Sequence, residues 1–292
     1  MIFKRYHLLL AIIFVGVCFS RAESQVKPDA DQKINDFSLA GFGERGKKTW
    51  DINGKSADIY DSNIKLKDIV GNLYGEKENI RLTADKGDFD KKESRVHLEE
   101  NVVVTSSSGA KLTTRSLDWD RKNNLVRTSD TVNIERENMT TQALGAVGKA
   151  DLKQVTLEKE VTVKINSAEA DKPENKIVIT CDGPLEINYE KNIATFSNNV
   201  RVDRGDSQMY SDAMDVYFSV NKDKDGKKKG PAGAAGGVDM IVARGNTKIV
   251  RGENTSYSDE AVYTASDKKI TLLGRPRLVI YATEDTDAPL GN

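Results

Sequence analysis

The chain has 292 residues but only two histidines and two cysteines. His7 and Cys18 fall within an apolar N-terminal leader, so His97 and Cys181 are the only residues of their kind after it. A histidine-based acid–base or triad mechanism would rest on His97 alone, and structural zinc needs three or four converging ligands. A glycine-rich loop followed by Lys-Ser/Thr is also missing. The sequence therefore predicts no metal site, no cofactor and no intramolecular disulfide.

Aromatic residues and net charge are also scarce. Aromatics make up 7% of the chain, and 44 basic residues face 45 acidic ones, for a formal net charge of -1. No global field attracts nucleic acid or an anionic membrane, so we expect no nucleic-acid partner. Hydrophobic residues make up 38% of the chain and are mostly Val, Ile and Leu. This composition favours thin β-sheets with one solvent-exposed face.

Only one long hydrophobic run is present, from Leu8 to Phe19, preceded by Lys4 and Arg5. It is shorter than the roughly 20 residues that a spanning helix needs, and a small-x-small pattern ends at Ala22. Residues 1–22 are therefore predicted to be a signal peptide, with an uncleaved inner-membrane anchor as the alternative. Val17 stands where a lipobox before Cys18 would need a small residue, which argues against lipidation.

The main positive feature is an internal repeat of about 30 residues. Leu82-Thr83-Ala84-Asp85 recurs as Leu112-Thr113-Thr114-Arg115, and the same offset carries Phe89-Asp90 onto Trp119-Asp120. Looser copies cover 139–165, 177–202 and 257–280, and another begins near 209 and resumes at 241. Such self-similarity indicates units that bury their apolar face only by stacking on one another.

Within each unit apolar and polar residues alternate, as in Val96-His97-Leu98, which is the period of a half-buried strand. Polar groups such as 90–94 and 120–124 predict turns. The alternation changes parity between Ala84 and Phe89, and again between Thr114 and Leu117, so we expect the sheet to bend there into a trough. The predicted fold is all-β and elongated, built from stacked two-strand repeats. Its two end strands are expected either to pair with a partner of the same shape or to be capped by terminal segments.

The chain divides most naturally into two parts. Residues 34–165 and 177–282 are predicted to form the first and second β-structures, separated by the polar stretch 167–176 around Pro173. Residues 221–237, rich in Lys, Gly and Ala, are predicted to be a disordered insert within a strand pair of the second part.

Clustered aspartates raise the possibility of a β-solenoid enzyme acting on polysaccharides. Asp90 and Asp120 occupy equivalent positions of two repeats, but each precedes basic residues in a turn-like stretch, where Asp is favoured for structural reasons. We expect turn-forming roles for both, an exposed strand position for His97, and no catalytic residue.

The repeat resembles that of the OstA-like periplasmic proteins of lipopolysaccharide export. The matching residues follow the pattern Leu-x-Ala-Asp-x-Gly-x-Phe-Asp and then Val-x-Leu-x-x-Asn-Val-x-Val: Leu82, Ala84, Asp85, Gly87, Phe89, Asp90, Val96, Leu98, Asn101, Val102 and Val104. The stretch from Phe37 to Ala57, with Trp50, resembles the start of LptC. The part from Ile177 onward, ending in 273–278, resembles LptA.

This resemblance implies a twisted β-jellyroll, or β-taco, whose interior holds the acyl chains of lipid A. It also implies a periplasmic bridge that joins the inner-membrane ABC transporter and other β-jellyroll proteins by edge-strand pairing. The candidate lipid-binding residues are the inward-facing apolar ones of the clearest repeats: Leu82, Phe89, Val96, Leu98, Val102, Leu117, Trp119, Val126, Val132 and Ile134. Two alternatives remain, a periplasmic or surface scaffold without lipid cargo and the polysaccharide-active enzyme.

Overall fold

The computed structural model describes residues 30–43, 46–75, 78–136, 138–149, 154–166, 176–218 and 238–281. The predicted leader (1–22), most of the polar boundary (167–175) and the insert (221–237) lie outside them. Seventeen strands account for most of the described chain. The first nine are β1 (Gln32–Phe42), β2 (Lys48–Ile59), β3 (Asn63–Tyr74), β4 (Asn79–Asp90), β5 (Arg95–Ser106), β6 (Lys111–Asp120), β7 (Leu125–Arg136), β8 (Met139–Lys149) and β9 (Gln154–Asn166). The remaining eight are β10 (Lys176–Cys181), β11 (Leu185–Asn188), β12 (Ile193–Arg204), β13 (Ser207–Phe218), β14 (Val238–Arg251), β15 (Asn254–Thr264), β16 (Lys269–Leu273) and β17 (Arg277–Val279).

All seventeen strands belong to one antiparallel sheet in which neighbours in sequence are neighbours in space. β10 and β11 behave as one interrupted strand, because both pair with β9 on one side and with β12 on the other. β16 and β17 likewise share β15. Hydrogen bonding therefore runs without a break from the first part of the chain into the second, and the all-β, elongated jellyroll prediction is confirmed.

Most strands are interrupted near their middle, and these interruptions form the fold line of the sheet. The β4–β5 pairing shifts register between Thr83 and Lys86, and the β6–β7 pairing between Thr113 and Asp118. In β4, Ala84 is buried before the shift and Gly87 after it, so the inward face passes from even to odd positions. Thr114 and Leu117 of β6 behave in the same way. The predicted parity switch is confirmed at both places.

The fold line has its own local chemistry. Asn101 and Asn199 have φ values of 52° each, in the left-handed region that Asn tolerates better than most residues. Each donates a side-chain hydrogen bond to an aspartate of the neighbouring segment, Asn101 to Asp85 at 2.6 Å and Asn199 to Asp182 at 2.5 Å. The residue that follows each Asn is a fully buried valine. The recurring Asn-Val pair thus turns the strand and then starts its second inward face.

Two hydrophobic clusters fill the space inside the folded sheet. One spans β1 to β7 and includes Phe37, Ile69 and Val102, and the other spans β7 to β14 around Leu157 and Met214. Cys181 belongs to the second cluster, where it is free and buried, and burial raises the pKa of its thiol. Each strand contributes alternate residues to these clusters, because successive side chains of a strand point to opposite faces.

Candidate functional site

The turns between strands lie along two rims. Because every hairpin reverses the chain, the turns after β1, β3, β5, β7, β12 and β14 form one edge of the folded sheet, which we call the first rim. The turns after β2, β4, β6, β11 and β15 form the opposite edge, the second rim. The fold line lies halfway between them, so each long strand contributes one half to each of two walls. The short strands contribute to one wall each, β10 and β17 to the first-rim wall and β11 and β16 to the second-rim wall.

A cavity of about 620 Å³ lies between these walls in the second part of the sheet. This volume is within the range of roughly 300–1,000 Å³ that is typical of sites for small molecules. Its lining is mainly aliphatic and aromatic. Side chains on the first-rim wall include Met139, Val163, Ile165, Ile177, Val202, Met209 and Ile249, and those on the second-rim wall include Leu185, Ile187, Phe196, Met214, Phe218, Ile241, Tyr263 and Ile270.

Cationic groups lie where the cavity meets the first rim. Arg136, Arg204 and Arg251 all contribute to the lining. Arg204 and Arg251 flank Ser207 in register on adjacent strands, with Arg204 opposite Ser207 and Ser207 opposite Arg251. Guanidinium groups beside an apolar cavity suit an amphiphile whose charged end stays at the surface.

Tyr189 lines the same cavity from the second rim. Burial raises the pKa of its phenol, Arg136 acts in the opposite direction, and Glu78 raises it further. Arg136 and Glu78 both lie at the first rim, so charges of the opposite rim act on the phenol of Tyr189. The phenol is therefore neutral at physiological pH and adds no charge to the cavity.

The ten residues predicted from the clearest repeats are inside the trough but do not line this cavity. Eight of them pack together in the first cluster: Leu82, Phe89, Val96, Leu98, Val102, Leu117, Trp119 and Val126. Val132 and Ile134 belong to the second cluster. All ten therefore contribute to the packed apolar interior, and their role in holding lipid stays a prediction.

Arg121 closes the trough in the first part. Its guanidinium carbon is 5.9 Å from the ring centre of Trp50, 5.8 Å from that of Phe89 and 5.8 Å from that of Trp119. Phe89 and Trp119 lie near the second rim, as Arg121 does, but Trp50 lies near the first rim. The arginine thus spans the mouth between the two walls. The buried indole N–H of Trp119 has no hydrogen-bond partner here.

The residues considered for catalysis have structural roles. Asp90 accepts backbone hydrogen bonds from Lys92 and Glu93, both at 2.8 Å, and Asp120 accepts one from Asn123 at 3.0 Å. The side-chain hydrogen bond from Asn123 is the main reason that the pKa of Asp120 is lowered. The turn-forming interpretation of both aspartates is confirmed.

His97 points away from the trough, as predicted, with its Nδ1 atom 2.7 Å from Asp118 Oδ1 on the outer face. Among the described residues, no helix is long and apolar enough to cross a membrane.

The sequence prediction does not identify the cavity-lining residues of the second part as a site, although many of them belong to the looser repeat copies at 139–165, 177–202 and 257–280. The predicted lipid-binding residues come from the repeats that match each other best. Similarity between repeats reports on packing, and it carries no information about where the two walls stand apart. The arginines at the end of β12 and β14 were a usable signal, because Arg204 and Arg251 continue the inward alternation of Val202 and Ile249.

A folded antiparallel sheet with an apolar interior places the chain in the class of elongated β-jellyroll proteins, and comparison with protein families agrees. Residues 7–166 match the family model described as lipopolysaccharide-assembly, LptC-related. Residues 179–288 match the model of the LptA/(LptD N-terminal domain) LPS transport proteins. The chain therefore belongs to the LptC-related lipopolysaccharide-assembly family, and carries an LptC-like part followed by an LptA-like part. These are periplasmic transport families rather than enzyme families. No curated protein matches the chain.

Proposed function

We propose that this protein carries the acyl chains of lipid A in its trough, as one element of a periplasmic bridge from the inner-membrane ABC transporter toward the outer membrane. The observation that supports this most directly is the apolar cavity of about 620 Å³ between the two walls of the second part. Each methylene transferred from water into such a cavity contributes about 0.8 kcal/mol. Burial of the hydrocarbon chains therefore supplies the free energy of binding, and the proposed function needs no catalytic group.

The charge distribution at the cavity favours an amphiphile over a simple hydrocarbon. Arg204 and Arg251 lie at its first-rim mouth, where guanidinium groups would contact anionic oxygens of a headgroup, while the interior between Phe196 and Ile241 is apolar. In this proposal the acyl chains lie between the walls and the phosphorylated sugar lies at the rim.

Photo-crosslinking in cells tests the cargo. A photoreactive phenylalanine analogue at Phe218 replaces a side chain that lines the cavity, and the same analogue at Tyr217 places it on the opposite face of the same strand. We expect lipopolysaccharide to be captured at Phe218 and not at Tyr217. Phe89 and Trp119 are the corresponding positions for the first part of the trough. Failure at every inward position, with the protein folded and abundant, would leave the scaffold function in its place.

The ends of the sheet support the bridge. Among the residues that the structure describes, β1 pairs only with β2, and β16 and β17 pair only with β15, so within this part of the chain each end offers an unpaired strand edge. Exposed apolar residues accompany both edges: Leu39 (53% exposed) and Phe42 (65%) on β1, and Leu278 (62%) and Ile280 (70%) at the other end. Addition of a neighbouring β-jellyroll strand would satisfy the backbone groups and cover these side chains. The proposed partners are the transporter's own β-structure and other bridge proteins.

The two parts, 34–165 and 177–282, are proposed to act as successive sections of one path, since β9 and β10 join them by six backbone pairs. Retention of residues 1–22 as a membrane tether would place the first part next to the transporter. Separating the membrane and periplasmic fractions, with and without a substitution of Ala22, tests whether this segment is cleaved.

A further inference from the structure

The guanidinium of Arg121 lies against aromatic rings rather than beside a carboxylate. Its guanidinium is held by three aromatic rings, and its backbone N–H is bonded to Ser94 of the neighbouring turn. Within the described residues Arg121 has no carboxylate partner. Its neighbour Lys122, in contrast, lies 4.0 Å from Glu93 in an ordinary exposed pair.

A guanidinium that lies against ring faces keeps its N–H edge free. Arg121 itself is exposed. Its N–H donors can therefore reach an anion in solution, and a planar fork of donors matches the oxygens of a phosphate or a carboxylate. Cation–π contacts at an exposed site are weaker than two charge-assisted hydrogen bonds to an anion, so an anion can draw the guanidinium away from the rings.

The position of the rings shows what this movement would do. Trp50 lies on the first-rim wall, and Phe89 and Trp119 lie on the second-rim wall, so Arg121 joins the walls at the open side of the trough. Behind the rings lies the packed first cluster, with Leu82 and Val126 beside them. A hydrocarbon chain that enters this part of the trough from the open side has to pass the guanidinium.

We propose that Arg121, Trp50, Phe89 and Trp119 form a clasp across the mouth of the first part, and that an amphiphile with an anionic headgroup opens it by taking the guanidinium onto its anionic oxygens. The inference rests on the proposed function, because it assumes that hydrocarbon enters the trough. It adds a binding site for the headgroup and a reason why neutral amphiphiles are excluded. The indole N–H of Trp119, which is buried without a partner in the closed arrangement, becomes a second donor for the same headgroup when the clasp opens.

The chain contains two tryptophans, and both belong to the clasp. Because the nine tyrosines also fluoresce, excitation is set to the long-wavelength edge that tryptophan alone absorbs, and the emission then reports on this site. The experiment titrates the full-length protein with dodecyl phosphate, dodecyl maltoside and inorganic phosphate, each below any micelle concentration, and follows tryptophan emission and its quenching by acrylamide. We expect dodecyl phosphate to raise acrylamide quenching and to bind about tenfold or more tightly than dodecyl maltoside.

Two variants identify the group responsible. Arg121→Ala should abolish the preference for dodecyl phosphate and should show raised quenching before any ligand is added. Lys122→Ala removes a cation from the same exposed turn and should behave as the wild type. Trp50→Phe keeps a ring on the first-rim wall and assigns the remaining signal to Trp119.

Equal affinity of the wild type for the anionic and neutral amphiphiles would overturn the clasp. An equal response to inorganic phosphate at the same concentration would overturn it too, because the hydrocarbon chain would then contribute nothing. Neither result affects the prediction that lipopolysaccharide is crosslinked at Phe218, because Phe218 lies in the second part. If lipid is captured at Phe218 but dodecyl phosphate changes neither tryptophan emission nor its quenching, the clasp is rejected and the proposed function stands.

Discussion

Asp51 is an ionised side chain in an otherwise buried position, 6% exposed near the first rim. It accepts hydrogen bonds from Asn72 Nδ2 at 2.8 Å, from the Tyr74 hydroxyl at 2.7 Å and from Lys48 Nζ at 2.9 Å. These bonds, that of Asn72 first, hold the pKa of the Asp51 carboxyl well below its ordinary value. The carboxylate thereby joins the ends of β2 and β3 next to Trp50.

Stability should therefore depend on pH through Asp51. In the unfolded chain an aspartate titrates at about 3.9, and in the folded chain this one titrates lower, so its contribution is fully present above about pH 5. The contribution is lost as the pH falls through the folded-state pKa. We expect Asp51→Asn to unfold more easily at pH 7 and to show a flatter loss of stability between pH 5 and pH 3. Denaturant midpoints across this range measure it.

Asp61→Asn, in an exposed turn, is the matched control for loss of one negative charge. An identical pH profile for Asp51→Asn and the wild type would show that the hydrogen-bonded carboxylate is not what makes stability pH-dependent.

Leu157 tests the packing of a single apolar residue. It is 0% exposed at the centre of the second cluster, on the strand β9 that joins the two parts. Leu157→Ala should lower the free energy of unfolding by about 2–5 kcal/mol, through lost transfer energy and the cavity left behind. Leu278→Ala, at a position 62% exposed, should change it by less than about 0.5 kcal/mol. Chemical denaturation of both variants gives the comparison, and similar losses would contradict the assigned core.

At the scale of the strand, the fold line was predictable in position but not in chemistry. The parity switch between Ala84 and Phe89 is local, so the alternation itself shows it. The left-handed conformation of Asn101 and its bond to Asp85 depend on a strand pairing sixteen residues away, which alternation does not contain. Asp85 looks like a conventional turn former in sequence, and its role becomes visible only when β4 and β5 lie side by side.

Asn101 carries a prediction about the bend. Asn101→Val places a β-branched side chain at a φ of 52° and removes the hydrogen bond to Asp85, so we expect a loss of about 1–3 kcal/mol. Asn101→Gly removes the same hydrogen bond but adopts this backbone conformation freely, so its loss should be smaller. Thermal unfolding of the two variants separates strain from hydrogen bonding. Equal destabilisation would assign the whole effect to the bond with Asp85.

The edge strand β1 carries the prediction about partners. Successive N–H groups of a strand point to opposite sides, so of Ser38→Pro and Leu39→Pro one removes a bond to β2 and the other removes only an outward donor. We expect the substitution that removes only the donor facing away from β2 to keep the stability of the wild type and to lose co-purification with bridge partners. The substitution that removes a bond to β2 should lose stability as well. Association that survives both substitutions would argue against strand addition at this edge.

At the scale of the whole molecule, one continuous sheet contains two sections that differ in how their walls meet. In the first part large rings from both walls, Trp50 on one and Phe89 and Trp119 on the other, fill the mouth around Arg121. In the second part the walls stand apart and leave the cavity. The sequence predicts both sections equally well as troughs, because alternation gives the inward direction of each residue. The gap between walls depends on side-chain volumes that face each other from distant strands, and pattern alone does not pair them.

The cavity itself crosses the border between the two family matches. Met139, Val163 and Ile165 belong to the LptC-like part and line it together with Phe196 and Ile241 of the LptA-like part. In the proposed function a lipid in this cavity would be held by both parts at once.

This shared lining gives a prediction that neither part alone would give. Met139→Trp places a bulky ring in the cavity from the LptC-like side, so we expect it to reduce lipopolysaccharide crosslinking at Phe218 severalfold, although Phe218 belongs to the LptA-like part. Leu82→Trp, in the first cluster, adds the same ring far from the cavity and should leave the yield at Phe218 unchanged. Equal yields for the two variants, with both proteins folded, would mean that lipid in the second part does not contact β8. The two parts would then bind their cargo independently.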